Sequence, residues 1–321
     1  MPLDPHAKRF LDMMAAAGSK TGASDTIETR RNAFARLMAL SGPGPALVGV
    51  VDKTVARPEA TIPLRVYTPR RATDRPLPAI IYFHGGGLVA GSLDTHDTLC
   101  RVLAVGCDAV VIAVGYRLAP EHKFPAAITD AEVATDWVCA HATALAIDPE
   151  RIAVAGDSGG GTLAAIVCQT MRGRHSPPIA LQLLLCPVLD FAAESASRRA
   201  FAEGYLLDRA TLERDLAHYS PGNLDRMDPR VSPLRAADVA GLPPALIHTA
   251  EFDPLRNEGD AYAERLRQAG VPVRYTCHAG MIHHFYGLTS VIPAARRALE
   301  AISGEMRTAL AEASQRRSRP A

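Results

Sequence analysis

The sequence lacks a dominant charge: 35 Lys and Arg face 34 Asp and Glu, a formal net charge of +1 over 321 residues. That balance supplies no long-range field for nucleic acid or anionic lipid, so neither is expected as a partner. Long apolar runs are also missing. No stretch approaches the roughly 18 residues that a membrane-spanning helix needs, so no stable membrane insertion is expected. The opening MPLDPHAKRF lacks the charged-then-apolar layout of a secretory signal, which makes the cytoplasm the expected location. Cysteine is sparse and unpatterned: positions 100, 107, 139, 168, 186 and 277 form no C-x-x-C pair and have no His at metal-ligand spacing. Six such residues in so long a chain exclude a disulfide scaffold, and they are expected to be reduced thiols in the core. There is no internal repeat.

Apolar residues make up 48% of the chain and charged residues 21%, the balance of a folded globular protein with a sizeable core. Residues 1–45 read as two short helices broken at Gly18, Gly22 and the run Ser41-Gly42-Pro43-Gly44-Pro45. Strands are expected near 46–51, 62–68, 80–83, 109–114, 152–155, 181–185, 245–249 and 271–277. Helices are expected over about 125–144, 158–171 and 257–269, and Leu299, Ile302, Met306 and Leu310 keep helical spacing near the end. Near-continuous apolar strands alternating with helices define an α/β architecture, a mostly parallel sheet covered on both faces. The alternation stops between about 190 and 227, where Phe201, Tyr205, Leu212, Leu216 and Tyr219 mark helices that are not crossovers. A polar tail follows residue 315.

The sharpest chemical signal is Gly156-Asp157-Ser158-Gly159-Gly160, a G-x-S-x-G between an apolar strand and a helical stretch. Glycines around the serine permit a turn tight enough to lift its hydroxyl off the sheet edge, above N–H groups of the helix start. His84-Gly85-Gly86-Gly87 follows an earlier strand, and glycines there let backbone N–H groups turn toward a developing oxyanion. Together the two motifs point to acyl transfer. A serine hydroxyl needs a base, and the base needs a carboxylate to hold its tautomer. His283 follows the last candidate strand and Asp253 follows the strand before it, so nucleophile, acid and base run in the order Ser158, Asp253, His283.

These residues, with the Tyr116–Ala126 segment YRLAPEHKFPA and the runs Asp253-Pro-Leu-Arg and Gly280-Met-Ile-His, resemble the hormone-sensitive-lipase-like carboxylesterases, bacterial family IV. The resemblance runs from about residue 77 to 290. It implies an α/β-hydrolase fold of residues 46–315 with a helical cap made by residues 1–45 and an insertion at about 190–227, and a flexible tail at 316–321. It also implies a serine carboxylesterase acting on short- to medium-chain esters through an acyl-enzyme, without metal or organic cofactor. Ser158, Asp253 and His283 would be catalytic, and the N–H groups of Gly85, Gly86 and Gly159 would form the oxyanion hole. A homodimer through a sheet edge fits the same family. His84 and the Tyr116 segment are read as supports of the loop. Three positions depart from the family pattern: Gly159 stands for the usual Ala, His284 for Gly, and Asn257 for Asp. Small-molecule receptors of the same fold, similar to the gibberellin receptors, lack the catalytic histidine, whereas His283 is present here; an amidase or deacetylase would use the same chemistry.

Overall fold

A computed structural model of the chain describes residues 2–16, 26–58, 60–71, 75–174 and 178–317. The expected breaks at Gly18 and Gly22 and the tail beyond 317 lie outside the described residues. Eight strands, β1 (Gly49–Ala56), β2 (Thr61–Thr68), β3 (Leu77–Phe83), β4 (Val110–Val114), β5 (Ile147–Asp157), β6 (Leu181–Leu185), β7 (Ala245–Phe252) and β8 (Val273–Ile282), form one sheet. Their spatial order is β1-β2-β4-β3-β5-β6-β7-β8. Only the β1–β2 and β2–β4 pairs are antiparallel; the other pairs run parallel. The helices are α1 (Pro5–Ala16), α2 (Ile27–Met38), α3 (Asp97–Cys107), α4 (Ala126–Ala140), α5 (Gly159–Thr170), α6 (Ala196–Ala200), α7 (Arg209–Tyr219), α8 (Arg256–Gln268) and α9 (Pro293–Arg317).

Every residue of β3, β4 and β6 is buried, because both faces of the central sheet are covered and its side chains alternate between them. Ile81, Phe83, Val154, Leu184 and Ile247 face a layer containing Leu163 and Val167 of α5 and Tyr262 of α8. Their neighbours Ile80, Tyr82, Leu183 and Leu246 face the other layer, with Leu99 and Leu103 of α3 and Ile302, Met306 and Leu310 of α9. Each such side chain contributes about 1.5–3 kcal/mol on burial. The two layers fix the register of the strands, and the register fixes where the strands end.

Several expectations need correction. The first strand lies at Gly49–Ala56, later than expected, since its ladder pairs Gly49 with Thr68 through Ala56 with Thr61 and is set by the hairpin, not by apolar content. The helix α3 was not anticipated. The last strand extends to Ile282, and α9 continues through Arg317, beyond the boundary expected at 315. Among the thiols, Cys100, Cys107, Cys168 and Cys186 are buried core residues, but Cys139 is half-buried and Cys277 is exposed on β8, where it faces away from the core; all six are unpaired. Between β6 and β7 the chain forms α6 and α7 and no strand, as the loss of alternation predicts.

Candidate active site

Four parallel strands deliver the chemistry at their C-terminal ends. His84 follows β3, Ser158 follows β5, Asp253 follows β7 and His283 follows β8, the edge at which sheets of this type gather ligands. Ser158 takes φ 50° and ψ −119°, a sparsely populated positive-φ conformation that costs a non-glycine residue about 1–3 kcal/mol. Its neighbours make the turn possible. A side chain on Gly156 would meet the Gly160 carbonyl, and one on Gly160 would meet the Phe83 carbonyl. The Ser158 N–H donates to Leu185 O at 2.8 Å, which ties the elbow to β6.

Ser158 Oγ lies 3.1 Å from His283 Nε2. On its other side, His283 Nδ1–H donates to Asp253 Oδ2 at 2.7 Å. Asp253 and His283 are fully buried, and Ser158 is 5% exposed. The second carboxylate oxygen of Asp253 accepts the Leu255 N–H at 2.8 Å, so one side chain both shapes the turn into α8 and holds the imidazole. With Nδ1 donating to the carboxylate, Nε2 is left to accept the serine proton. His284 does not share this position: it adopts a left-handed conformation (φ 60°) and its Nδ1 pairs with the Tyr286 hydroxyl at 3.0 Å. Burial, reinforced by the neighbouring His283, holds the pKa of His284 well below the ordinary histidine value.

The glycine loop is anchored from beneath. The Asp157 carboxylate, fully buried, accepts the Tyr82 hydroxyl at 2.6 Å, the Gly85 N–H at 2.9 Å and the Tyr286 hydroxyl at 3.2 Å. His96 Nε2 lies 3.3 Å from its Oδ1. Burial acts to raise the Asp157 pKa, but His96, through charge and hydrogen bonding, His284 and the Tyr82 hydroxyl together bring it below the ordinary carboxylate value. The reading of Gly85 as an oxyanion donor is therefore corrected: its N–H is already donated to Asp157. The N–H groups of Gly86, Gly87 and Gly159 donate to no acceptor among the described residues. A methyl group on Gly159 would lie 3.3 Å from Gly87 N and 3.2 Å from Leu88 N, so these glycines are adjacent across the site.

His84 supports this loop without reaching the serine. Its Nδ1–H donates to Gly85 O at 2.8 Å, its carbonyl accepts the Tyr116 hydroxyl at 2.6 Å, and the two rings stack at 4.3 Å. Burial pushes its pKa down to about 3, so the ring stays neutral. Asn257 acts mechanically: its Oδ1 accepts the Ser197 N–H at 2.8 Å and its own N–H donates to Ser197 Oγ at 3.2 Å, joining α6 to α8. His96, Tyr82 and Tyr286 were not anticipated as site residues; Asp157 inside the serine motif was the available signal.

A cavity of about 260 Å³ opens beside His284, walled by Leu11 and Met14 of α1, Phe34 and Leu37 of α2, and Leu206 and Thr211 near α7. Among the described residues, the one cluster of metal-ligating atom types is Cys186, Asp253 and His283, with donor atoms within 4.8 Å of one another. The 2.7 Å between His283 Nδ1 and Asp253 Oδ2 is a hydrogen bond; two ligands held at about 2.0–2.2 Å from one tetrahedral ion would stand roughly 3.3 Å apart. No helix among the described residues is long and apolar enough to cross a membrane.

A serine at a strand–helix elbow, a histidine in reach and a carboxylate behind it, on a parallel sheet with an antiparallel start, define the α/β hydrolases as a class. A family profile described as alpha/beta hydrolase fold matches residues 80–287, and the chain belongs to that family, on its hormone-sensitive-lipase-like branch. It is 42% identical over 303 residues to carboxylesterase NlhH of Mycobacterium tuberculosis, covering 92% of each chain. It is 39% identical over 311 residues to an ethyl acetate hydrolase of Pseudomonas putida, covering 93% of this chain and 96% of that one. Among solved structures, a Lake Arreo metagenomic ester hydrolase, EH1AB1, complexed with a bipyridine phosphonate derivative superposes with a TM-score of 0.91 at 40% identity, covering 95% of this chain and 98% of that one.

Proposed function

We propose that the protein is a serine carboxylesterase that hydrolyses short- to medium-chain carboxylic esters, with Ser158 as nucleophile, His283 as base and Asp253 as the acid that orients it. The observation that carries this reading is the unbroken contact chain from Ser158 Oγ through His283 to Asp253, at 3.1 and 2.7 Å. His283 Nε2 takes the serine proton as Oγ attacks the ester carbonyl, and the oxyanion is received by the uncommitted N–H groups of Gly86, Gly87 and Gly159. The imidazolium then protonates the leaving alcohol. Water, activated by the same Nε2, releases the acid from the acyl-serine. The proton taken from Ser158 leaves with the alcohol and the proton taken from water restores the Ser158 hydroxyl, both by way of His283, so the cycle needs no cofactor.

We assign the acyl group to the cavity of about 260 Å³ beside His284, the neighbour of the base; its volume, at the small end of ligand pockets, argues for short or medium chains. We read α1, α2 and the α6–α7 segment as the cap, since all but α6 contribute to its wall. Six unpaired thiols fit a reducing cytoplasm. The outer edge of β8, the last strand of the sheet and half exposed along much of its length, is the surface through which we infer a homodimer; light scattering at twice 34.2 kDa supports it and the monomer mass overturns it. The test of function is turnover of p-nitrophenyl esters from acetate to palmitate by the native protein and Ser158→Ala. Activity that peaks at short or medium chains and collapses in the variant is expected; turnover that survives the substitution would remove Ser158 from its role.

A further inference from the structure

Two consecutive arginines on α2 brace the glycine loop, Arg31 directly at Val89 and Arg30 by way of Asp215. Arg31 Nε donates to Val89 O at 2.8 Å and its NH2 group donates to Ala119 O at 3.1 Å, while its fork also holds Glu121 at 2.6 and 2.9 Å. Arg30 reaches the other way, to Asp215 of α7, with Nε to Oδ1 at 3.2 Å and NH2 to Oδ2 at 2.8 Å. Both partners of this second pair are nearly buried. The Asp215 carboxylate lies directly against Gly87: Oδ2 occupies the place where a side chain on Gly87 would begin. Gly87 itself has φ +67°, so its N–H direction depends on what holds the loop. One turn along α2, Phe34 packs on His284 and His96 at ring distances of 5.3 and 6.0 Å, with the Arg30 guanidinium 5.4 Å above its face.

We propose that Arg30, Arg31 and Asp215 are positioning residues for the oxyanion loop, and that α2 does more than cover the substrate: its docking sets the place of the Gly86 and Gly87 N–H groups. The inference rests on the serine-esterase reading above and deepens it. A two-point guanidinium–carboxylate grip fixes geometry as well as charge, and here it fixes a carboxylate wedged against a donor residue. Arg31 restrains the same loop two residues later, at the Val89 carbonyl. Donors must be preorganised where the oxyanion forms, and a shift of about 1 Å costs on the order of 100-fold in rate. Loosening either arginine therefore acts on the transition state, which the N–H groups bind, more than on the ground-state ester.

The experiment compares Arg30→Met, Arg31→Met, Asp215→Asn and the double variant Arg30→Met/Asp215→Asn with the wild type. Arg30→Lys, which keeps charge without the two-point grip, replaces the methionine variant if that fails to accumulate. A control removes a comparably buried ion pair that does not involve α2, Asp215 or the glycine loop, Arg198→Met, whose partner Glu258 lies 2.7 Å away. The readouts are kcat and KM for a p-nitrophenyl ester, the Ki of a trifluoromethyl ketone as transition-state mimic, and the stoichiometry of phosphonate labelling at Ser158. For the α2 and α7 variants kcat should fall about 10- to 100-fold, the ketone Ki should rise by a similar factor, KM should stay within about twofold, and the double variant should be no worse than the poorer single. A raised KM with kcat intact would overturn the proposal by reducing the arginines to substrate contacts. So would losses that merely track the folded fraction, as in Arg198→Met. A wild type labelled at Ser158 with unchanged variants overturns this inference alone; a wild type that takes up no phosphonate overturns the esterase reading with it.

Discussion

Acid should unfold this protein through its buried histidines. His84 and His248 are 3% and 1% exposed, and burial pushes each pKa to about 3, for His248 with help from His278. His248 Nε2 has no hydrogen-bond partner, although its Nδ1 is 3.1 Å from His278 Nε2. In the unfolded chain both rings titrate near the ordinary histidine value of about 6.5. Below that pH the unfolded state binds protons that the folded state refuses, so stability falls as pH drops from about 6.5 toward the folded value. At 1.36 kcal/mol per pKa unit, each ring costs about 2 kcal/mol at pH 5, or about 4 kcal/mol for the pair. His284, depressed in the same direction, adds to this. Against a net stability of about 5–15 kcal/mol, the loss is large. Urea unfolding at pH 7.5, 6.5, 5.5 and 5.0 should show a midpoint that is level above pH 6.5 and falls steadily below it, and His248→Leu should remove roughly half of the slope assigned to the pair. A wild-type midpoint that stays level from pH 7.5 to 5, or a variant with an unchanged slope, would refute the assignment.

Three further outcomes follow from the geometry. Asp157→Asn replaces a buried carboxylate that takes donors from Tyr82, Gly85 and Tyr286; stability should fall by about 2–3 kcal/mol and phosphonate labelling of Ser158 should slow, as read by urea midpoint and labelling rate. Gly159→Ala places a methyl 3.2–3.4 Å from Leu88 N and the Gly87 backbone, closer than ordinary van der Waals contact, which offsets the gain of about 0.4–1 kcal/mol from restricting the unfolded chain; stability should change by less than about 1 kcal/mol, and thermal unfolding checks it. Gly156→Ala would drive its side chain into the Gly160 carbonyl, so soluble yield and the cooperative unfolding transition should both drop sharply, well beyond the effect of Gly159→Ala.

The parts of this molecule that sequence reveals are those whose local pattern and global role coincide. The central strands announce themselves because both faces are buried, leaving runs such as Val110–Val114 and Leu181–Leu185 without a polar residue to confuse the period, apart from Gln182. Ser158, Asp253 and His283 were legible because each directly follows such a strand or lies in a glycine-marked turn. By contrast, β1 carries Asp52, Lys53 and Thr54 on an exposed edge, so its position comes from pairing with β2. The helix α3 was hidden by Val102, Val105 and Gly106, although Leu99, Leu103, Ala104 and Cys107 do share its buried face. Gly85 could not be separated from Gly86 on sequence, because what distinguishes them is a carboxylate 72 residues away. The Arg30–Asp215 pair spans 185 residues and joins two helices outside the sheet, so no strand pairing marks their approach.

Ser158, activated by His283, is the proposed nucleophile. Its most direct test is intact-protein and peptide mass spectrometry after reaction with an ester-like phosphonate, on the wild type and on His283→Ala. One phosphonyl group per chain is expected, located on Ser158, forming fast in the wild type and at least about 100-fold more slowly without the imidazole. Label on another residue, or label on Ser158 at the same rate in both proteins, would contradict it.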